Sequence, residues 1–199
     1  MALDAARSIV RSGGLDALST RKVAGAMGYT VGTLYLVYEN LDALILALNE
    51  DTLSCLQQRM EAALADSPQD HDASPHAQAA PQLLALARAY IAFARAEPNL
   101  WRLIFEHRLP PGVQPPGSLR KAIEQVVGLL RAALTPLPLE PGQRDLTAQA
   151  LWSAVHGLCI LSITGKLQTA GSGTLEQVTE HLIETYLHGL AVDQELALH

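Results

Sequence analysis

The sequence predicts an all-α protein of about nine helices, with a compact three-helix unit at the N-terminus and a longer helical part behind it. Three observations carry this. Of the 199 residues, 49% are hydrophobic while only 5% are aromatic, an Ala- and Leu-rich balance that favours helices. Apolar residues recur at three- and four-residue spacing along most of the chain, and no β-branched alternation is long enough for a sheet. Breaks rich in glycine and proline separate the periodic stretches.

Taken in order, a first helix covers about 2–12 and ends at Gly13-Gly14. Ser19 is placed to cap a second helix over 20–27, on which Val23, Ala24 and Met27 share a face. Gly28 stands where a chain leaving a helix needs a left-handed residue. Thr30 caps a third helix over 31–37, and Asn40 a fourth over 41–64, with Asp42 in the first turn where the dipole favours an anion. Residues 66–81, rich in Pro, Asp, Ser, His and Ala, read as a loop. A fifth helix over 82–96 ends at Glu97-Pro98, and a sixth covers 99–107. The stretch LPPGVQPPGS precedes a seventh over 119–134. A proline-rich turn leads to an eighth over 143–167, apolar nearly all round and so expected to be buried on most sides. Gly171-Ser172-Gly173 separates it from a ninth over 174–190.

The second and third helices, joined by a tight glycine turn, form a helix-turn-helix, a unit that can lay its second helix in the major groove of DNA. The charge balance is unusual for that role. The chain carries a net charge of −6. Within the first fifty residues, Arg7, Arg11, Arg21 and Lys22 face Asp4, Asp16, Glu39, Asp42 and Glu50. Affinity from phosphate neutralisation is therefore expected to be modest. Cys55 and Cys159 lack metal or redox spacing and read as buried, reduced thiols. No signal peptide and no run long and apolar enough to span a bilayer stands out, which points to the cytoplasm. No nucleophile elbow, phosphate loop or carboxylate pair suggests an enzyme. No histidine has a second ligand at zinc spacing, so neither a metal nor another cofactor is expected.

The run Gly28-Tyr29-Thr30-Val31-Gly32-Thr33-Leu34-Tyr35, with Leu3-Asp4-Ala5-Ala6, Gly14 and Thr20-Arg21-Lys22-Val23-Ala24 before it and Leu44 after it, resembles the N-terminal domain of the TetR family of bacterial transcriptional regulators. Trp152, His156 and Gly157 also resemble a Trp-x-x-x-His-Gly motif found in many C-terminal domains of that family. The resemblance implies a DNA-binding domain over 1–47 and a ligand-binding and dimerisation domain over 48–199. It implies a homodimer through the last two helices that binds palindromic double-stranded DNA. A repressor released by a small apolar or amphipathic effector is the expected function. A helical ligand-binding or protein-interaction module with weakened or lost DNA binding is the alternative.

Candidate DNA contacts are Thr20, Arg21, Thr30, Val31, Gly32, Thr33 and Tyr35. Threonine hydroxyls can meet phosphates or base edges, Val31 can make only an apolar contact, and Gly32 permits close backbone approach. Arg21 is the favoured charged contact. Tyr35 fits either a phosphate contact or packing within the unit. Leu36, Val37 and Leu41 depart from the family pattern, which is often polar at the first position, usually polar or aromatic at the second, and has a phosphate-binding lysine at the third. Together they suggest an exposed apolar patch. Candidate ligand contacts are Tyr90, Phe93, Trp101, Ile104, Phe105, Val127, Trp152, His156 and Cys159, mostly apolar with a few polar handles. For His156 a hydrogen-bonded core role is the first expectation.

Overall fold

The computed structural model describes residues 1–68, 70 and 72–197. They form ten α-helices, one 3-10 turn and, among the described residues, no strand, as the all-α expectation requires. The helices are α1 Ala2–Gly13, α2 Thr20–Met27, α3 Val31–Tyr35, α4 Leu41–Ala65, α5 Pro75–Ala96, α6 Pro98–Glu106, α7 Gly117–Ala133, α8 Pro141–Ile163, α9 Leu167–Ala170 and α10 Leu175–Ala197; the 3-10 turn is Leu15–Ala17.

Several boundaries differ from the expected ones for local reasons. α8 stops at Ile163 because Gly165 is left-handed (φ 69°), and the Lys166 N–H donates back to the Leu161 carbonyl at 2.8 Å. The chain then winds the extra four-residue helix α9. α5 starts at Pro75, so most of the second half of the expected loop is helical. Pro75 suits a first helical position, and the Ser74 hydroxyl accepts from the Ala77 N–H at 3.4 Å. Pro81 is tolerated inside α5 although it leaves the Ala77 carbonyl without its helical donor; Ala77 is exposed, so water can replace that donor. Part of the loop expected over 66–81, at positions 69 and 71, lies outside the described residues.

Two compact units divide the chain. The first combines Met1–Gln57 with Phe93–Glu124, the second Gln58–Ala92 with Gln125–His199. Residues 1–47 thus lie within the first unit, which takes further residues from α4, α5, α6 and α7.

The core of the first unit joins Ala6 and Val10 of α1, Val23 of α2, Leu34 of α3, Leu44, Ile45 and Leu48 of α4, and Leu100 and Leu103 of α6. Full burial of Leu34, the buried member of α3, contributes roughly 1.5–3 kcal/mol and anchors a helix too short to form alone. Polar ties fix the edges. Arg11 forks onto the Glu97 carboxylate at 2.8 and 2.7 Å, and the Asn99 amide donates to the Arg11 carbonyl at 3.0 Å. Arg7 donates to Asp51 at 2.7 Å, and His107 Nε2 lies 2.8 Å from Asp42 Oδ1.

The second unit packs Leu83, Leu86 and Tyr90 of α5, Leu130 of α7, Leu151, Val155 and Cys159 of α8, and Ile183 and Leu187 of α10. α8 buries the stripe Thr147, Ala148, Leu151, Val155 and Cys159, while Leu146, Ile160 and Leu161 remain exposed.

Two expectations are corrected. Cys159 is buried, but Cys55 is exposed, because the inward seam of α4 runs through Thr52, Leu56 and Met60 and position 55 falls off it. The second concerns membrane spans. By length and composition α8 does reach what a span needs, since no charge stands between Asp145 and Lys166; its most apolar window has a mean hydropathy of 1.4 and is 28% buried.

Candidate DNA-binding surface and ligand cavity

The helix-turn-helix is built by its caps. The Ser19 hydroxyl accepts from the Lys22 N–H at 3.3 Å and starts α2. Gly28 ends it at φ 75°, and the Tyr29 N–H donates back to the Ala24 carbonyl at 2.9 Å. Thr30 opens α3 by accepting from the Thr33 N–H at 3.3 Å, and the two threonine hydroxyls lie 3.1 Å apart. The Asn40 side chain accepts from the Ala43 N–H at 2.8 Å and starts α4.

This arrangement exposes Arg21, Thr30, Gly32 and Tyr35 and leaves Thr20, Val31 and Thr33 half-buried. Tyr35 is 49% exposed and is not part of the core. A side chain at Gly32 would meet only the Thr30 hydroxyl, at an ordinary 3.6 Å. Leu36 and Val37 are 86% and 69% exposed. Leu41, by contrast, is half-buried against the core of the first unit, so the expected three-residue patch reduces to Leu36 and Val37.

Charge on this face comes from few groups. Arg7 and Arg11 are held by Asp4, Asp51 and Glu97, and those hydrogen bonds raise both guanidinium pKa values. Arg21 and Lys22 are exposed, and neither side chain has a hydrogen-bond or ion-pair partner among the described residues.

The second unit contains a partly open apolar cavity of about 30 Å³. Its walls are Met60 of α4, Leu83, Leu86, Ala87 and Tyr90 of α5, Leu130 of α7, Leu151, Trp152 and Val155 of α8, and Ile183 of α10. Beside it, His156 Nδ1 lies 2.9 Å from the Tyr90 hydroxyl. The imidazole stacks on Trp152, with centroids 5.4 Å apart and planes at 22°. Burial lowers the His156 pKa, which keeps the ring neutral at pH 7. A Cβ added at Gly157 would meet nothing within 4 Å, so no close helix approach among the described residues explains this glycine.

Of the nine candidate ligand contacts, Tyr90 and Trp152 form cavity wall and His156 joins both. Val127 and Cys159 belong to the same unit but not to those walls. Phe93, Trp101, Ile104 and Phe105 lie in the first unit, where Trp101 and Phe105 pack edge to face at 5.5 Å.

A model described as the tetracyclin repressor-like C-terminal domain matches residues 83–186, just over half of the chain, and one described as bacterial regulatory proteins of the tetR family matches 2–48. The chain belongs to the TetR family. Its N-terminal match spans α1 to the first third of α4, and its C-terminal match runs from α5 into α10. No curated protein matches.

Solved structures share this TetR-family fold at low identity. A protein with unknown function from Rhodococcus sp. RHA1 is 23% identical, with a TM-score of 0.76, over 94% of this chain and 92% of its own. The transcriptional regulator FadR from Bacillus subtilis, solved in complex with stearoyl-CoA, is 14% identical, with a TM-score of 0.62, over 94% and 95%. A TetR variant from Acinetobacter baumannii AYE, solved in complex with minocycline, is 18% identical, with a TM-score of 0.61, over 96% and 94%.

Sequence reasoning did not single out the aliphatic walls Met60, Leu83, Leu130, Leu151 and Ile183, because their periodicity is that of any buried face. The His107–Asp42 pair was also missed. Sixty-five positions separate its members, and no local spacing signals it.

Proposed function

We propose that this chain is a homodimeric transcriptional repressor of the cytoplasm. It binds palindromic double-stranded DNA through α3 of each subunit and is released by a small apolar or amphipathic ligand. The observation that carries the reading is the partly exposed N-terminal turn of α3, held by the Thr30 cap, with exposed Arg21 and Lys22, whose side chains have no partner among the described residues, beginning the helix before it. Thr20, Arg21, Thr30, Val31, Gly32, Thr33 and Tyr35 are the proposed DNA contacts. Dimerisation is supported by the outward apolar residues Leu146, Ile160 and Leu161 of α8, a surface that a second copy would cover.

The proposed effector site is the cavity beside Tyr90, Trp152 and His156. Structural relatives solved in complex with stearoyl-CoA and with minocycline support a small-molecule effector. At about 30 Å³ the cavity has room for little more than one water, so a ligand must part the helices. A ligand that prefers the parted form shifts the DNA-binding equilibrium by its differential affinity, and no more.

Selection from random duplexes at two salt concentrations tests this reading. The expected result is a palindrome whose affinity falls as salt rises. A folded dimer that enriches no sequence would instead favour a ligand-binding or protein-interaction module, the alternative suggested by exposed Leu36 and Val37.

A further inference from the structure

We infer that the operator half-site is read chiefly through thymine methyl groups; this rests on the DNA-binding role proposed above. The segment from Gly28 to Tyr38, which contains all of α3 and its exposed flank, carries no Lys, Arg, His, Asn, Gln, Asp or Glu. Bidentate readout of guanine needs Arg or Lys, and that of adenine needs Asn or Gln. Neither is available on this helix. The two threonine hydroxyls are engaged with each other, since Thr30 accepts from the Thr33 N–H and the two Oγ1 atoms pair at 3.1 Å. What the helix offers a groove is the Val31 side chain, the Thr33 methyl, the Tyr35 ring and the exposed Leu36 and Val37.

The apolar feature of a base-pair edge in the major groove is the C5-methyl of thymine. Gly32 fits the same picture. Within the chain it faces only ordinary contact at 3.6 Å, so its missing side chain matters for how closely a partner can approach the backbone. Arg21 and Lys22 supply the complementary charge from the start of α2, the helix that crosses the phosphate backbone in this motif. In this reading they position the protein on DNA through its phosphates.

The experiment is selection of duplexes by the full-length protein, followed by replacement of each selected thymine with deoxyuridine, which removes one methyl and keeps every base-pair hydrogen bond. The expected half-site is rich in A·T pairs, and at the contacted thymines each substitution weakens binding roughly fourfold. Val31→Ala should lose the deoxyuridine effect at one thymine while keeping it at the others. Arg21→Ala should weaken binding to all duplexes alike. A half-site rich in G·C pairs, or full affinity for the deoxyuridine duplex, overturns thymine-methyl readout and leaves DNA binding standing. A folded protein that enriches no duplex overturns the DNA-binding reading itself, and this inference with it.

Discussion

At the level of single residues, His156 and Gly28 show how environment decides what a side chain does. His156 is flanked by Tyr90 and Trp152, and burial lowers its pKa from the ordinary 6.5. The unfolded chain therefore binds a proton on this residue at a higher pH than the folded one. Between 6.5 and the lowered value the unfolded state carries more protons, so stability rises with pH and falls on acidification through that window. A melting-temperature series from pH 7.5 to 5 should show this decline, and His156→Gln should flatten the part of it due to this ring. A decline identical in the variant would place its cause in other groups. Gly28 presents the opposite case, because open space surrounds it and only its backbone matters. At φ 75° an alanine meets about 1–2 kcal/mol of left-handed strain, partly offset by roughly 0.4–1 kcal/mol from a stiffer unfolded chain. Gly28→Ala should thus lower unfolding free energy by up to about 1.6 kcal/mol in urea titration.

At the level of elements, the helix starts of the DNA-binding half are legible because each has a local cause. Ser19, Thr30 and Asn40 each stand just before a helix, and each accepts the backbone hydrogen bond that a cap requires. Tertiary burial, in contrast, leaves no local mark. Leu41 and Leu36 look alike in sequence, yet one packs on the core and the other is 86% exposed. Trp152 and His156 were legible as a pair one helical turn apart, whereas the aliphatic walls of the cavity read as ordinary core. α5 is the clearest case of context overruling a local rule. Pro81 reads as a loop residue, but α5 continues through it, from the cap at Ser74 to the buried Leu83, Leu86 and Tyr90 beyond. Pro81→Ala restores a donor to the Ala77 carbonyl and removes the ring's clash, at the cost of a more flexible unfolded chain. A helix-interior proline costs about 3 kcal/mol and its stiffness returns roughly 0.4–1, so the variant should be more stable by roughly 2–2.6 kcal/mol. A higher urea midpoint at unchanged slope would bear this out; an unchanged midpoint would mean that α5 already accommodates the ring without strain.

At the level of the whole molecule, charge and symmetry combine in one measurable quantity. Arg7 and Arg11 are tied to carboxylates, so the helix-turn-helix offers two unpaired cations, Arg21 and Lys22, per subunit. If both neutralise phosphates in each half of a dimer, log affinity against log salt should slope at roughly −3.6. Lys22→Ala should make that slope shallower by roughly 1.8, one contact in each subunit. The slope also reports assembly. Leu146 and Leu161 lie outward on a helix with no charge between Asp145 and Lys166, a surface that water covers poorly and a second copy would cover well. Leu161→Asp should shift sedimentation from dimer to monomer. Its DNA binding should then be weak, with a slope near half the wild-type value, because one subunit reaches one half-site. A monomeric variant that kept the full slope would mean that a single chain neutralises all four phosphates, with cations outside α2 making contact. A variant that stayed dimeric would place the subunit interface on another face of the molecule.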